Sequence, residues 1–311
     1  MQEADISSDG ATPHCDLSVI ICTYNRARLL DACLQRILPQ LKQTENVELI
    51  VVDNNSSDHT AEVVDRTWVQ CKYILEVKQG LSHARNRGLK ESSGRFVAYL
   101  DDDALVSETW LQAVLNHLDD ELVDAIGGPV IPHFEVQPPE WLDPTYFVRQ
   151  FAPKDRLLTG IRGVMGLSGG NMAIRRSALI ALGGFNTELG MRGQALGLGE
   201  ETELFLRMYR RSGYRCYYVT DMSIAHCEDA SKFDPDYIAQ RIFTGARQYP
   251  YFLKLAFPAV KANAIVLFRM IKQSGILFWN SVNQHQFARF RRLKARSIIR
   301  GLYQGLLRST V

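Results

Sequence analysis

Residues 237–311 contain no aspartate and no glutamate, yet they carry 13 lysines and arginines. The formal net charge of +2 therefore conceals an asymmetry, because the first 236 residues hold 23 basic and all 34 acidic side chains. An acidic body with a basic end implies that the end meets something anionic, either a membrane surface or nucleic acid. No uninterrupted apolar run approaches the ~18 residues of a transmembrane helix, which argues against a membrane span. The opening MQEADISSDGATPH is polar and acidic. It reads as neither signal peptide nor span, and residues 1–14 are expected to be a floppy, disordered tail. The six cysteines (15, 22, 33, 71, 216 and 227) form no C-x-x-C pair and no metal-finger spacing. Free, partly buried thiols in a reducing cytosol follow. Internal repeats and low-complexity tracts are also missing, and the basic end carries no recognised nucleic-acid module, which leaves nucleic acid the weaker partner.

What is present suits a globular chain: 46% apolar and 23% charged residues over 311 positions, enough for one large domain or a domain plus an appendage. Residues 17–22 form a buried-type strand that stops at Thr23-Tyr24-Asn25-Arg26. Apolar positions at three- and four-residue spacing then predict a helix ended by Pro39. A second strand, 47–52, closes on Asp53 and a polar turn; a third is expected at 73–77, followed by a short helix in GLSHARNRGLKESSG. Strands alternating with helices at this spacing indicate parallel βαβ units and a doubly wound sheet. Further on, the pattern predicts a helix at 110–118, a strand at 125–130 running into a bend, and a long loop at 132–165 over the sheet edge. A strand at 172–175, a helical turn at 177–182, an acid-headed helix in GLGEETELFLRMYRRSG and a strand at 215–219 complete this part.

The stretch FVAYLDDDAL stands out. An apolar strand ends abruptly in Asp101-Asp102-Asp103, and ligands of open α/β sheets bind just beyond the carboxyl ends of strands. Three adjacent carboxylates repel one another unless a cation neutralises them, and hard divalent cations prefer such oxygen ligands. A solvated acidic turn is the plain alternative for such a charge run.

Seven pieces in order (SVIICTYNR, ELIVVDNNSSDHT, GLSHARNRGL, VAYLDDDAL, GGNMAIRRSALIALGGFN, GEETELFLR and IAH) resemble family 2 glycosyltransferases over about residues 17–227. The resemblance implies a GT-A fold, a Rossmann-like, mostly parallel α/β sheet flanked by helices, spanning residues 15–230. It implies an inverting, metal-dependent transfer of sugar from a nucleotide-sugar donor, UDP being the commonest donor nucleotide in the family. Thr23, Asn25 and Arg26 would face the nucleotide, Asp53 would bond the base, and Arg85 would supply a guanidinium with a fixed donor fork. Asp101 and Asp103 resemble the outer pair of a D-x-D motif. Asp103 would bind Mn²⁺ or Mg²⁺ directly, Asp101 the ribose or the metal, and Asp102 would contribute to either. His226 stands where many members place a third metal ligand. The base is usually the Asp of a Glu-Asp pair at a helix N-terminus; here the pair is Glu200-Glu201, with Glu201 in the Asp position and its carboxylate about 1.5 Å further out, and Glu200 is a credible substitute as base. The glycines of 169–171 and 183–184 resemble an acceptor platform, while Trp141, Tyr146 and Phe147 either stack on sugar or pack in a core.

Residues 286–308 predict a basic amphipathic helix, with Phe290, Ile298 and Leu302 on one side and Arg289, Arg292, Arg296 and Arg300 on the other. Residues 251–282 are apolar but interrupted by lysine and arginine. Together, 231–311 read as a helical extension that contacts the membrane peripherally, or as a helical cap with a solvated face. The acceptor is then expected to be a glycan or lipid-linked sugar of a cell-surface polysaccharide, reached from the cytoplasmic, inner face of the membrane. Two other classes remain: a nucleotidyltransferase, which shares the carboxylate–metal site but usually carries a Gly-rich phosphate loop that CTYNRARLL lacks, and a non-catalytic glycan-binding protein, which Glu201 in place of Asp would suit.

Overall fold

The computed structural model describes residues 15–308 apart from 68–70, 121–122, 194, 212–213 and 284–285. The expected tail at 1–14 lies outside them. Eight strands form one sheet in the order β3-β2-β1-β4-β9-β6-β10-β8. β1 (Leu17–Thr23), β2 (Val47–Asp53), β3 (Cys71–Leu75) and β4 (Phe96–Asp101) run parallel to one another. Their crossovers are α1 (Ala27–Leu41), α2 (Thr60–Thr67) and α3 (Leu81–Glu91). Because side chains on both sheet faces are covered, β1 and β4 are apolar at nearly every position. Pro39 does not end α1; it sits inside the last turn, forfeiting its own bond to the Gln35 carbonyl while the Lys42 amide still bonds the Leu38 carbonyl at 3.0 Å. β3 starts two residues earlier than the pattern predicts, because its register with β2 pairs Leu49 with Cys71 and Asp53 with Leu75.

A second sheet, which the sequence pattern does not predict, decides where the functional side chains meet. After Asp103 the chain turns straight into β5 (Ala104–Val106), and α4 (Trp110–Leu115) follows. β6 (Ala125–Gly127) belongs to the large sheet. The chain then bends at Gly128-Pro129 and continues as β7 (Val130–Phe134), so the expected single strand at 125–130 is two strands in two sheets. The Pro- and aromatic-rich segment beyond it carries β8 (Arg156–Leu158) and α5 (Gly160–Val164). β9 (Asn171–Arg175) inserts antiparallel between β4 and β6, pairing Leu100 with Asn171. α6 (Arg176–Ala181), α7 (Glu200–Arg210) and β10 (Cys216–Tyr218) follow, and β11 (Ile224–Glu228) joins β5 and β7 in the small sheet.

Asn171 pins these pieces together. It is fully buried; its Oδ1 accepts from Trp110 Nε1 at 2.9 Å, and its Nδ2 donates to the carbonyls of Met222 at 2.7 Å and Pro129 at 3.1 Å. Asn171→Ala strands one buried donor and two buried carbonyls, so a stability loss on the order of 3 kcal/mol is expected in urea unfolding.

The C-terminal helices are α8 (Pro235–Ala256), α9 (Ala259–Val282) and α10 (Ala288–Arg308). Asp234 caps α8, accepting from the amides of Asp236 and Tyr237. α10 lies against α8 so closely that a Cβ at Gly301 would come within 2.5 Å of the Phe243 carbonyl. Its amphipathic pattern is real, but its apolar side (Phe290, Ile298, Leu302) is buried within the protein and cannot serve as a membrane-facing stripe. Trp141, Tyr146 and Phe147 pack against one another and against Phe290 and Phe233, which makes them core rather than sugar platforms.

Candidate active site

The carboxyl ends of β1 and β4 lie side by side, so the polar residues that stop each strand share one cleft. Thr23 Oγ1 donates to Asp102 Oδ2 at 2.8 Å, and Arg26 Nη1 reaches Asp102 Oδ1 at 3.1 Å and Asp103 Oδ2 at 3.0 Å. Burial raises Asp102 to about 6, against the pull of Arg26 and with the charge of Asp103 adding to it. The triplet is therefore not a solvated turn: Asp102 and Asp103 are buried, while Asp101 is partly open to the cleft.

His226 reaches Asp103 because β11 pairs with β5, the strand that Asp103 leads into, with His226 opposite Ala104. The Cys227 amide donates to the Asp103 carbonyl at 2.9 Å and locks this register. His226 Nε2 lies 3.0 Å from Asp103 Oδ1, and its Nδ1 lies 2.9 Å from Glu228 Oε1. Lys232 Nζ stands 3.3 Å from Asp103 Oδ2. Burial alone would raise the Asp103 carboxyl, but His226, Lys232 and Arg26 hold it well below the usual range. Burial alone would likewise lower His226, but Asp103 and Glu228 raise it to about 9.

Asp101, Asp103 and His226 each offer a ligand atom, and these atoms lie within 4.8 Å of one another. The group fits a divalent cation. Two ligands about 2.1 Å from an octahedral ion at right angles stand about 3 Å apart, the spacing between Nε2 and Oδ1. Glu228 on Nδ1 would leave Nε2 to coordinate such an ion, as in a carboxylate–histidine–metal relay. Arg26 and Lys232 contact the other oxygen, Oδ2.

Arg85 joins this half of the cleft to the next. It is 2% exposed, its Nη1 lies 2.8 Å from Glu200 Oε1, and its Nη2 lies 3.4 Å from Asp101 Oδ1 and donates to the Gly169 carbonyl at 3.0 Å. Rings of Phe185 and Tyr99 lie 5.3 and 5.8 Å from its Cζ. Burial would lower Arg85, but Glu200 and Asp101 raise it above its ordinary value. Glycine at 170 is required here, since a Cβ would stand 2.0 Å from Asp101 Oδ2. α7 begins at Gly199 with φ +88°, against the Phe252 ring of α8, and this places Glu200 inward and Glu201 half-exposed on the cleft.

A model of the family described as glycosyl transferase family 2 matches residues 18–183. The chain belongs to that family. It is 23% identical over 235 residues to a glucosyl-dolichyl phosphate glucuronosyltransferase of Haloferax volcanii, an alignment covering 73% of this chain and 74% of that one. It is 35% identical over 120 residues to a GalNAc(5)-diNAcBac-PP-undecaprenol beta-1,3-glucosyltransferase of Campylobacter jejuni, covering 37% of this chain and 38% of that one. The structure overlays with a TM-score of 0.63 and 18% identity on the mannosyltransferase PcManGT from Pyrobaculum calidifontis in complex with GDP-Man and Mn²⁺, covering 98% of this chain and 90% of that one. The fold is GT-A, and the protein is a glycosyltransferase.

The family match ends before Glu200 and His226, and the structure brings both to the cleft. Among the residues expected at the site, Thr23, Arg26, Arg85, Asp101, Asp102, Asp103, Glu200, Glu201 and His226 all line the cleft. Asp53 and Asn25 do not appear in its lining. Asp53 Oδ1 accepts from the Ser56 amide at 2.8 Å and Oδ2 from Tyr73 at 2.6 Å, while Asn25, at φ +53°, accepts from the Ser57 amide at 2.7 Å. Both hold the turn after β2. Gly183 and Gly184 adopt φ +79° and +71°, and Asn86 bonds the adjoining Phe185 amide and carbonyl, each at 2.8 Å.

Sequence reasoning missed four residues. Arg149, Lys232, Tyr237 and Arg241 line the same cleft as the carboxylates. Burial and the neighbouring charge of Arg241 lower Arg149. Glu228 was missed too, though its signal was available: it lies two residues from His226 on one strand and so shares its face.

Burial raises Glu200 to about 8; the charge of Glu201 adds to the shift and Arg85 opposes it. A carboxyl raised on folding contributes stability below its unfolded value, and that contribution disappears as pH rises through the folded value. Wild-type protein is therefore expected to lose stability from about pH 4.5 to pH 8 at this position. Glu200→Gln should flatten that slope in urea titrations, and an unchanged slope would refute the assignment.

Proposed function

We propose that this glycosyltransferase moves a sugar, with inversion, from a nucleotide sugar to a hydroxyl of a lipid-linked or glycan acceptor, using Mn²⁺ or Mg²⁺ held by Asp101, Asp103 and His226. The observation that carries the reading is the bridge made by Arg85, which holds the buried Glu200 and the Asp101 of the ligand group on one guanidinium. Bound there, a divalent cation would act as a Lewis acid that offsets charge on the departing nucleoside diphosphate. Arg26, Lys232, Arg149 and Arg241 supply further positive charge for the donor's phosphates. Thr23 and Arg26 orient Asp102 beside them.

Glu201 is the proposed base. Glu200 is buried and held by Arg85, which ties its carboxyl to the guanidinium rather than to an acceptor. Glu201 faces the cleft and removes the acceptor hydroxyl's proton as that oxygen attacks the anomeric carbon. The bond from sugar to diphosphate breaks on the opposite face, and its electron pair leaves with the phosphate.

The relatives' names, one built on dolichyl phosphate and one on an undecaprenol diphosphate glycan, support a lipid-linked acceptor. Since no helix among the described residues is long and apolar enough to cross a membrane, contact through the C-terminal helices would be peripheral, on the cytoplasmic face. Residues 15–230 would form the catalytic domain and 231–311 the attachment. A thermal-shift screen against UDP-, GDP- and dTDP-sugars, with and without Mn²⁺, tests the donor site. Stabilisation by one donor series only when the metal is present is expected; stabilisation indifferent to the metal would overturn the proposed site.

A further inference from the structure

Helix α9 is apolar on two opposite faces. One face, through Ala262 and Val266, is buried against Ile298 and Leu302 of α10 and Leu253 of α8. The other is bare. Val260, Leu267, Phe268 and Ile271 recur along it, and Phe278, Trp279 and Val282 continue the same series. At about 100° per residue these positions fall within one stripe some 120° wide along the helix. A helix of 24 residues makes that stripe about 36 Å long. Phe268 is 70% exposed, Phe278 71% and Trp279 59%. An apolar groove lined by Met165, Tyr209, Leu253, Ile265 and Phe268 opens beside it and widens the surface. Soluble monomers seldom leave so large a patch uncovered.

We propose that this face of α9 docks in the plane of an anionic lipid bilayer, with the stripe among the acyl chains and Lys261 and Lys272 at the level of the lipid phosphates. The proposal rests on the peripheral attachment put forward above and gives it one surface, on α9 rather than α10. Charge selects the occupant. Residues 237–311 hold 13 basic and no acidic side chains, so two copies joined stripe to stripe would press like charges together. An anionic leaflet reverses the sign and attracts each basic residue near its surface. The inner face of α9 is committed to the protein, so the helix lies in the interface and does not cross it.

The test is sedimentation of the full-length protein with vesicles of phosphatidylglycerol and phosphatidylcholine, and with phosphatidylcholine alone, in the absence of any donor. Binding to the anionic vesicles that weakens with salt is expected, together with a blue shift of Trp279 fluorescence. Phe278→Glu/Trp279→Glu should reduce the bound fraction at least about tenfold, and Leu267→Ser/Ile271→Ser should reduce it as well. Tyr303→Glu, on the exposed side of α10, should leave it unchanged, with circular dichroism confirming that all three remain helical. Equal binding by wild type and both α9 variants would overturn the proposal. So would a wild type that ignores vesicles and elutes as a dimer that Phe278→Glu/Trp279→Glu dissociates, an outcome that assigns the face to a second copy. Because no donor is present, absence of sugar transfer alongside intact vesicle binding would count against the proposed chemistry and leave the docking surface standing.

Discussion

Asp103→Asn is expected to lower sugar-nucleotide turnover by about a thousandfold, the scale of losing a group that stabilises charge in the transition state. The substitution keeps the side chain's shape and removes its charge at the point where Arg26, Lys232 and His226 converge. An amide there is a poor ligand for a hard cation, so the Mn²⁺-dependent rise in melting temperature should vanish together with turnover. Stability should fall too, by about 3 kcal/mol, because breaking a buried ion pair leaves its partners uncompensated. The sign with pH follows from the lowered carboxyl of Asp103. Its contribution is present above the unfolded value and is lost as pH falls through the folded one, so the wild type should lose its advantage over Asp103→Asn in acid. Nucleoside diphosphate release and urea unfolding read the two effects separately. Undiminished turnover in the variant would sink the mechanism.

Glu201→Gln is expected to reduce kcat by about 10²–10⁴-fold while leaving donor affinity nearly intact, since it removes proton abstraction and keeps the side chain's volume. Glu200→Gln should act differently. It disturbs Arg85, which also touches Asp101, and so should raise the metal concentration needed for half-maximal rate. Glu201→Asp is informative because aspartate is the family's usual residue. α7 is seated by Gly199 against Phe252, which fixes its first turn, so withdrawing the carboxylate by about 1 Å should slow the reaction roughly a hundredfold. If Glu201→Gln and wild type hydrolyse donor equally, Glu201 is not the base; if neither turns over any donor, the chain is a glycan-binding relative without catalysis.

Much of the donor half is legible in residue order because each element advertises itself locally. β1 and β4 are apolar runs that end in polar residues, and strand ends in such sheets face ligands. The Asp triplet lies at one such end, and its three neighbouring cationic side chains now account for how adjacent carboxylates remain buried. Other features depend on pairings between distant segments. Nothing near residue 104 announces that it will pair with residue 226, and nothing in ARNRGL announces that Arg85 will be enclosed by Glu200, Gly169 and two aromatic rings. Asp53 and Asn25 sit at the expected strand ends, yet their side chains turn back to hold the following turn, a choice made by neighbours the pattern does not reveal.

The basic end teaches the same lesson with the opposite outcome. Its composition alone establishes a strong positive charge, and periodicity alone establishes that α10 is amphipathic. Which apolar stripe meets solvent is decided by packing, since α10 spends its stripe on α8 and α9 while α9 keeps one uncovered. By itself, then, the sequence determined the βαβ frame, the family and the identity of the charged groups, because hydrophobic period and strand-end chemistry act over a few residues. The tertiary structure alone decided which carboxylate meets which cation, which of two glutamates faces the cleft, and which helix face is bare, because those depend on contacts between residues up to 129 positions apart.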